Sequence, residues 1–289
     1  MVAVLVSAFA VAGGCSSSES ESNAGGGSSS GSSDAATNDN SKTDGGGTGN
    51  DSGPGGDPDA AGDDGGAVVG KKCTAPAHTL ATNPNNPNDG ITLSGYYLDP
   101  STWNFTNYPG STQTMYVCDF DNWYAMVNVN DSKNDGAVKT YPNVHKDFAE
   151  PLVSSFTVIS SKFAHTAPGT GDWNYAYDVW FNGYDDELMI WTQSNGKQAH
   201  VPSVPVSATV TLSGITYDIH HAGTYTAYDM KTTKTSGTLN LLEIINDMTT
   251  RGFLTNTAKL TAIDYGVEVC NTNSVDTRFD VNDFSVTTQ

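Results

Sequence analysis

The strongest constraint on this chain is a succession of short strand-like runs that extends from residue 73 to residue 289. The runs are rich in Val, Ile, Thr and aromatic residues, and clusters of Asn, Gly, Pro and Asp separate them at short intervals. Alternation with a period of two, closed by such turn signals, is typical of antiparallel sandwiches and jelly rolls. We therefore predict an all-β domain, an antiparallel β-sandwich of jelly-roll type, over residues 72–289. The candidate strands are Thr114–Val117, Tyr124–Val129, Val153–Ile159, Tyr175–Trp180, Glu187–Trp191, Ser207–Leu212, Ile215–Ile219, Gly223–Tyr228, Lys259–Glu268 and Asp283–Thr287.

One segment of this domain departs from the strand pattern. Leu239, Leu242, Ile245 and Met248 recur at helical spacing, and Gly252 follows them as a C-terminal capping residue. Apolar residues at this spacing predict an amphipathic helix that buries one face. We expect one packed α-helix with a structural role.

The segment that precedes the domain has a different composition. Residues 16–70 hold 15 Gly, 12 Ser and 8 Asp and contain no aromatic residue. Such a segment cannot bury enough apolar surface to offset the entropy of ordering, so we predict a disordered tether over 16–71. The net charge of −19 disfavours nucleic acid as a partner, because contacts to phosphates need clustered Lys and Arg.

The first fourteen residues are apolar and small, and they are too few to span a bilayer as a helix. They fit the apolar part of a secretory signal over residues 1–15, although the usual positive start is missing, and we expect a start codon upstream. Cys15, at the end of this run, resembles the lipidated cysteine of a bacterial lipobox. The alternative is an ordinary cleavage site after small residues. Both alternatives predict export from the cytoplasm. In the lipobox interpretation, the lipid on Cys15 is the contact with a membrane.

The most informative stretch is the hairpin around Asn182-Gly183. This dipeptide between β-rich runs predicts a two-residue type I′ turn that pairs Phe181 with Tyr184. With that register Asp178 lies directly opposite Glu187, in a non-hydrogen-bonded pair whose side chains approach closely. Two facing carboxylates destabilise a sheet, and their repulsion raises one apparent pKa and couples the two titrations. Such a pair therefore indicates a functional role for the two acids.

The period of two also separates the two faces of this hairpin. One face carries acids, aromatic rings and a thioether: Asp178, Trp180, Glu187, Met189 and Trp191. The other face is apolar and predicts the sandwich core: Tyr177, Val179, Phe181, Leu188 and Ile190. We interpret the mixed face as a cleft that stacks the rings of a flat, hydroxylated ligand. The alternative is a hydrogen-bonded acid pair on a solvated sheet.

A second candidate carboxyl lies near the carboxy terminus. Glu268 sits in an apolar strand, two residues after Gly266, and the glycine lets another group approach closely. Taken alone, Glu268 is a weak signal, because many strands place one Glu towards solvent. Its significance depends on the hairpin acids.

Five segments together resemble glycoside hydrolase family 12, the jelly-roll endoglucanases and xyloglucanases. The segments are Glu187–Trp191, similar to a Glu-Ile-Met-Ile-Trp strand, Ala176–Trp180, similar to Ala-Tyr-Asp-Ile-Trp, Lys139–Asn143, similar to Lys-Ser-Tyr-Pro-Asn, the Trp103-Asn104 pair, and Gly266–Glu268 in place of Gly-x-Glu. The resemblance covers most of residues 73–289. It is specific in the central strand pair.

The resemblance implies a role for each acid. Glu187 would be the nucleophile and Glu268 the acid/base, with their carboxyls about 5–5.5 Å apart as retention requires. Asp178 would support the nucleophile, and the cleft would bind sugar through Trp103, Tyr141, Asn143, Trp180, Met189 and Trp191. The chain departs from the family in the tight Asn182-Gly183 closure and in Val269 and Cys270, which follow Glu268 where an aromatic residue is usual.

If Cys15 is lipidated, three cysteines remain and the sequence allows three pairings among them. The resemblance implies a disulfide between Cys73 and Cys118, which leaves Cys270 unpaired. We interpret Cys270 as a packed residue, because no base accompanies it by motif. The six histidines lack zinc-ligand spacing. The acids in 119–121 and 131–135 lack the glycine and terminal Glu of a calcium loop, so we take them as loop acids. No cofactor or metal is expected.

These observations predict a monomeric, exported or lipid-anchored, retaining endo-β-1,4-glucanase that acts on cellulose-like, mixed-linkage or xyloglucan chains. A jelly roll that binds carbohydrate without hydrolysing it is the main alternative, and a structural surface domain is another. Glu268 discriminates between enzyme and binder, because a binder needs no second carboxyl across the cleft.

Overall fold

A computed structural model describes residues 70–196 and 204–289. The predicted signal 1–15 with Cys15, and the predicted tether up to residue 69, lie outside the described residues. Within the described ranges no helix has the length and hydropathy needed to cross a membrane. The fold consists of two β-sheets packed face to face with one α-helix, so the predicted all-β jelly-roll sandwich is confirmed.

The first sheet has six strands, and all its pairs are antiparallel. Their order across the sheet is β1-β4-β5-β15-β7-β13. The strands are β1 (His78–Ala81), β4 (Thr112–Asp119), β5 (Asn122–Asn128), β15 (Thr277–Thr288), β7 (Ile159–Thr166) and β13 (Ser236–Asn240).

The second sheet has nine strands in the order β10-β11-β12-β9-β8-β14-β6-β3-β2. They are β10 (Val206–Leu212), β11 (Ile215–Ala222), β12 (Tyr225–Met230), β9 (Asp186–Asn195), β8 (Asp172–Phe181), β14 (Leu260–Asn271), β6 (Asn143–Asp147), β3 (Tyr96–Asp99) and β2 (Ile91–Leu93). The pair β9–β12 is parallel, and all the other strand pairs of this sheet are antiparallel. From β9 the chain passes through the antiparallel strands β10, β11 and β12, and β12 then lies beside β9 and runs in the same direction.

The core lies between the two sheets. The five residues predicted to form the apolar face of the hairpin are all fully buried there, which confirms the period-two assignment. Several polar groups in this core are paired: the Tyr265 hydroxyl donates to His165 Nδ1 at 2.6 Å, and His165 Nε2 lies 2.7 Å from the accepting Oε1 of Gln193. Burial lowers the pKa of His165 to about 4, so the ring is neutral at physiological pH.

One predicted strand is wrong. Residues 153–155 form a 3-10 turn, and β7 begins only at Ile159. The Ser155 backbone N–H and hydroxyl both donate to the Leu152 carbonyl, at 3.0 and 2.6 Å. Local bonding of this kind by a serine competes with strand pairing.

The predicted helix is α1 (Leu241–Thr250), with Asn240 as its N-cap. The Asn240 Oδ1 accepts from the Glu243 N–H at 3.3 Å, which satisfies one of the free donors at the helix start. Four apolar side chains of α1 are buried in the core, and Gly252 has φ +75° just past the end, as a C-terminal cap requires. Leu239 belongs to β13 rather than to the helix.

The hairpin between β8 and β9 is closed by residues 182–185, not by a two-residue turn. Trp180 pairs with Glu187, and Asp178 pairs with Met189. The predicted direct Asp178–Glu187 pair is therefore wrong, and the two acids are diagonal neighbours. The cause is Asn182, which is tied to the start of β14: its N–H donates to the Lys259 carbonyl at 2.9 Å, and its Oδ1 accepts from the Lys259 N–H at 3.0 Å.

Candidate active site

The outer face of the nine-stranded sheet, which points away from the core, collects the acids of the central strands. We call it the acid face and define it by the residues Asp99, Asp178, Glu187, Asp264 and Glu268. The displacement of the hairpin register by two residues leaves Asp178 and Glu187 on this one face, since side chains alternate along a strand. Sequence reasoning therefore identified the correct face although it placed the turn wrongly.

Cross-strand register places the acids beside one another. Asp264 of β14 pairs directly with Asp178 of β8, and Asp178 pairs on its other side with Met189. Directly paired residues have their Cβ atoms about 4.5–5.5 Å apart. Glu187 lies between Trp180 and Tyr225 across β8, β9 and β12.

Asp178 is the most strongly perturbed of the predicted catalytic acids. Its side chain is 7% exposed, and burial raises its pKa well above the usual range. The charges of Glu187, Asp264 and Glu268 raise the pKa further, in that order, whereas the Trp180 indole N–H acts in the opposite direction. Burial and the neighbouring charges therefore favour the protonated form of Asp178.

Glu187 and Glu268 lie on the two strands that flank β8, and they interact electrostatically. Burial, followed by the charge of Glu268, raises the pKa of Glu187 to about 8. Burial raises the pKa of Glu268 to about 7, against the effect of Asn174, whose Nδ2 donates to Glu268 Oε2 at 2.7 Å. Because the ionisation of one opposes that of the other, the pair holds one proton near neutral pH.

Four buried polar atoms on the outer face of this sheet have no hydrogen-bond partner: Asn174 Oδ1, Asp178 Oδ1, Asp264 Oδ1 and Trp191 Nε1. Buried polar groups in native proteins are normally paired, and each one left without a partner costs about 1–3 kcal/mol. A ligand with many hydroxyl groups can donate to the oxygens and accept from the indole. The face is therefore suited chemically to a carbohydrate.

The structure brings Tyr141, Asn143 and Met189 to the same region. The Tyr141 hydroxyl donates to the Ala176 carbonyl at 3.1 Å, and the Asn143 Nδ2 donates to the Tyr141 carbonyl at 2.9 Å. Burial raises the pKa of Tyr141 well above its usual value, and Asp178, Asp264 and Glu268 add to this. Met189 Sδ accepts from the Tyr225 hydroxyl at 3.7 Å.

The three predicted tryptophans differ in their environments. Trp191 is 1% exposed and packs with Ala176, Met189, Tyr225 and Ala227, so its ring offers no free face for stacking, contrary to our expectation. Trp180 is half-buried beside Glu187. Trp103 is 43% exposed, in the loop that follows β3.

Sequence reasoning missed Asp264, Tyr225 and Asn174. Asp264 carried a usable signal, because residues 264, 266 and 268 share a face by the period of two. Tyr225 carried none, since its position beside Glu187 depends on the parallel pairing of β9 with β12, which are separated by two further strands.

The cysteines of the described domain are all accounted for. Cys73 and Cys118 form a disulfide with their Cα atoms 5.6 Å apart. None of the cysteines in the described ranges is a free thiol, so the expectation of an unpaired Cys270 is wrong. In the same ranges no group of three or more His, Cys, Asp or Glu side chains is arranged to hold a metal ion.

Compared by sequence, the chain matches no protein-family model and none of the curated proteins. Compared by structure, it is similar to solved hydrolases of family 12. The endoglucanase cel12A from Rhodothermus marinus is 26% identical, with a TM-score of 0.63, over 73% of this chain and 99% of that one. The xyloglucanase domain of NopAA, a type three effector from Sinorhizobium fredii solved with cellobiose, is 22% identical, with a TM-score of 0.65, over 74% and 100%.

A native family 12 xyloglucanase from Bacillus licheniformis is 20% identical, with a TM-score of 0.62, over 73% of this chain and 100% of that one. Each of these three proteins is covered almost completely. The described domain therefore has the jelly-roll fold of family 12 glycoside hydrolases. At the level of the fold, the resemblance read from the five sequence segments is confirmed.

Proposed function

We propose that residues 72–289 form a retaining endo-β-1,4-glucanase that acts on cellulose-like, mixed-linkage or xyloglucan chains. The observation that carries the proposal is the acid face itself, where Asp178 and Glu268 are buried and Glu187 is half-buried, and where all three acids interact electrostatically and are shifted towards their protonated forms. Acids arranged in this way are a feature of catalytic sites. The similar structures include an endoglucanase and xyloglucanases, one of them solved with cellobiose, which supports a β-glucan as substrate.

In the proposed mechanism Glu187 is the nucleophile. Its ionised carboxylate attacks the anomeric carbon and forms a glycosyl–enzyme ester, while the glycosidic oxygen leaves with the proton of Glu268. Glu268, now ionised, takes a proton from water, and that water attacks the anomeric carbon and releases Glu187. Both residues return to their starting ionisation states, so the cycle is balanced.

Near neutral pH the pKa values of about 8 for Glu187 and about 7 for Glu268 leave the shared proton on Glu187 in the free chain, so the mechanism requires its transfer to Glu268 when the substrate binds. A pair that holds one proton near neutral pH supplies one ionised and one protonated carboxyl, which is what double displacement needs. The roles of the two follow from the strand resemblance. Burial and the neighbouring charges favour the protonated form of Asp178, whose O–H can donate to the Glu187 carboxylate and moderate its charge.

We also propose that the enzyme is exported and held at a membrane surface by a lipid on Cys15, with residues 16–71 as a flexible tether, and that it acts as a monomer. A polymeric glucan does not cross a membrane, which agrees with export. Labelling of the full chain with a radioactive fatty acid in a bacterial host, with Cys15→Ser as the control, tests the anchor. Label that persists in Cys15→Ser would contradict it.

The activity is tested by the release of reducing ends from soluble cellulose derivatives, mixed-linkage β-glucan and xyloglucan by the full chain. Glu187→Gln and Glu268→Gln should each reduce the rate on the order of 10³-fold or more. The matched control is Asp185→Asn, which neutralises an exposed acid in the same hairpin and should leave the rate unchanged. Binding to a glucan without any release would favour the carbohydrate-binding alternative, and full activity in both glutamine variants would exclude the proposed roles.

A further inference from the structure

An exposed aromatic side chain stands at one end of the acid face. Tyr184 lies in the loop 182–185, is 48% exposed and has φ +75°. A bulky residue in this left-handed conformation is strained, and such strain is found mainly at sites where the side chain is needed in place. Its ring centroid lies 5.6 Å from that of Trp180, with the planes inclined at 57°.

Trp180 connects this loop to the acids. It pairs with Glu187 on one side and with Ala262 on the other. Trp180 shares the outer face with Asp178 on β8 and lies diagonally across from Asp264 on β14, and its indole N–H lowers the pKa of both carboxyls.

Asp264 supplies an unused acceptor at the same place. Its side chain is 8% exposed, and its Oδ1 is buried and has no partner. Burial raises the pKa of Tyr184 to about 12, and the charges of Asp147 and Asp264 add to this. Trp180 packs beside Tyr184 and lies diagonally across from Asp264, so two aromatic rings and an unpartnered oxygen are neighbours on the acid face.

We propose that Tyr184, Trp180 and Asp264 form a subsite for one glucosyl ring of a β-glucan chain, adjacent to Glu187. The sugar ring packs against the two aromatic side chains, and one of its hydroxyls donates to Asp264 Oδ1. This inference rests on the proposed function, because it gives the glucan a second place to bind beside the catalytic acids. It also accounts for a strained tyrosine in a loop that closes the hairpin tightly.

Binding is measured separately from catalysis, in the full chain carrying Glu187→Gln, by affinity electrophoresis in gels that contain soluble cellulose derivative, mixed-linkage glucan or xyloglucan. Tyr184→Asn removes the ring and keeps a residue that tolerates left-handed backbone.

This variant should weaken binding about five- to tenfold, whereas Tyr184→Phe should bind normally, because stacking needs only the ring. Asp264→Asn, nearly isosteric, should weaken binding about threefold or more. Tyr116→Ala, which removes a half-buried tyrosine from the outside of the other sheet, is the control.

Affinity that is unchanged in both Tyr184→Asn and Asp264→Asn overturns the subsite, and so does a parent chain that binds none of the glucans. In the active background Tyr184→Asn should raise KM and leave kcat within about twofold, which a general loss of folding would not produce. Failure of the proposed function looks different. In that case the parent chain binds glucans and Tyr184→Asn weakens the binding, but the wild-type chain releases no reducing ends.

Discussion

The two faces of the nine-stranded sheet are built from alternate residues of the same strands, yet they follow opposite rules. On the inner face of β8, Tyr177 is fully buried and its hydroxyl donates to Ser161 Oγ at 3.0 Å. On the outer face, the next residue, Asp178, is 7% exposed and has an oxygen without a partner. The inner face pairs its polar groups, and the acid face leaves them available.

Neighbouring residues of one strand therefore serve different properties of the protein: those on the inner face contribute to stability, and those on the acid face contribute to activity. A buried carboxyl without a counter-charge opposes folding whenever it is ionised, so the acid face costs stability that the inner face must supply. Proteins keep such unfavourable groups mainly where a ligand uses them. The comparison predicts that changes on the two faces will have effects on different quantities.

The largest expected effect is a loss of activity without a loss of stability. Glu187→Gln should lower kcat on the order of 10³-fold or more, and the free energy of unfolding at pH 8 should stay the same or rise, since a buried charge is removed. Steady-state kinetics and denaturant unfolding of the same preparation measure both quantities. A variant that loses activity because it unfolds would break the comparison.

The matched change on the inner face is Phe181→Ala, one residue away from Trp180. Phe181 is fully buried in the core, so the substitution leaves a cavity and should lower the free energy of unfolding by about 3–5 kcal/mol. Urea unfolding measures this change in free energy, provided that the slope of the free energy against urea concentration is the same for the variant and the wild type. At temperatures where the variant is folded its KM should remain near the wild-type value, and a selective change in KM would contradict the separation of the faces.

The acid face is expected to make the free energy of unfolding fall as the pH rises. Burial raises the pKa of Asp99 from 3.8 to about 7, so between these values the folded chain keeps a proton that the unfolded chain has released. Stability therefore falls as the pH rises through that window. Asp99→Asn should raise the free energy of unfolding by roughly 2–4 kcal/mol at pH 8 and leave it unchanged at pH 3. Equal effects at both pH values would show that ionisation is not the cause.

The core against which the inner face packs should give the smaller effect, with the opposite sign, at His165 of β7 in the six-stranded sheet. Burial lowers the pKa of His165 from 6.5 to about 4, so between these values the unfolded chain binds a proton that the folded chain excludes. Stability falls as the pH drops through this window, by roughly 1–2 kcal/mol at pH 5. His165→Gln, which keeps hydrogen-bonding groups towards Tyr265, should remove this contribution to the slope. An unchanged acid slope would contradict it.

The comparison of the two faces was largely readable from the sequence, because it depends only on the period of two. A register error of two residues at Asn182 moved Asp178 from its true partner Met189 to Glu187 but did not change its face. The turn itself was not readable. Its geometry is decided by hydrogen bonds between Asn182 and Lys259, residues far apart in the chain.

The same limit applies to the candidate site. Asp264 and Glu268 share a face by simple counting, but the meeting of Asp264 with Asp178 needs the pairing of β14 with β8. The burial of Trp191 depends in the same way on Tyr225 and Ala227, which the parallel strand β12 brings to it. Long-range pairing of this kind leaves no local pattern in the sequence.

The central claim is that Glu187 and Glu268 cleave a β-1,4-glucan by double displacement. The most direct test is to follow the digestion of a short cello-oligosaccharide by the full chain with proton NMR, and to identify the anomer that forms before mutarotation. We predict that the β-anomer appears first and that Glu187→Gln forms no product. The α-anomer as the first product, or no cleavage by the wild-type chain, would contradict the account.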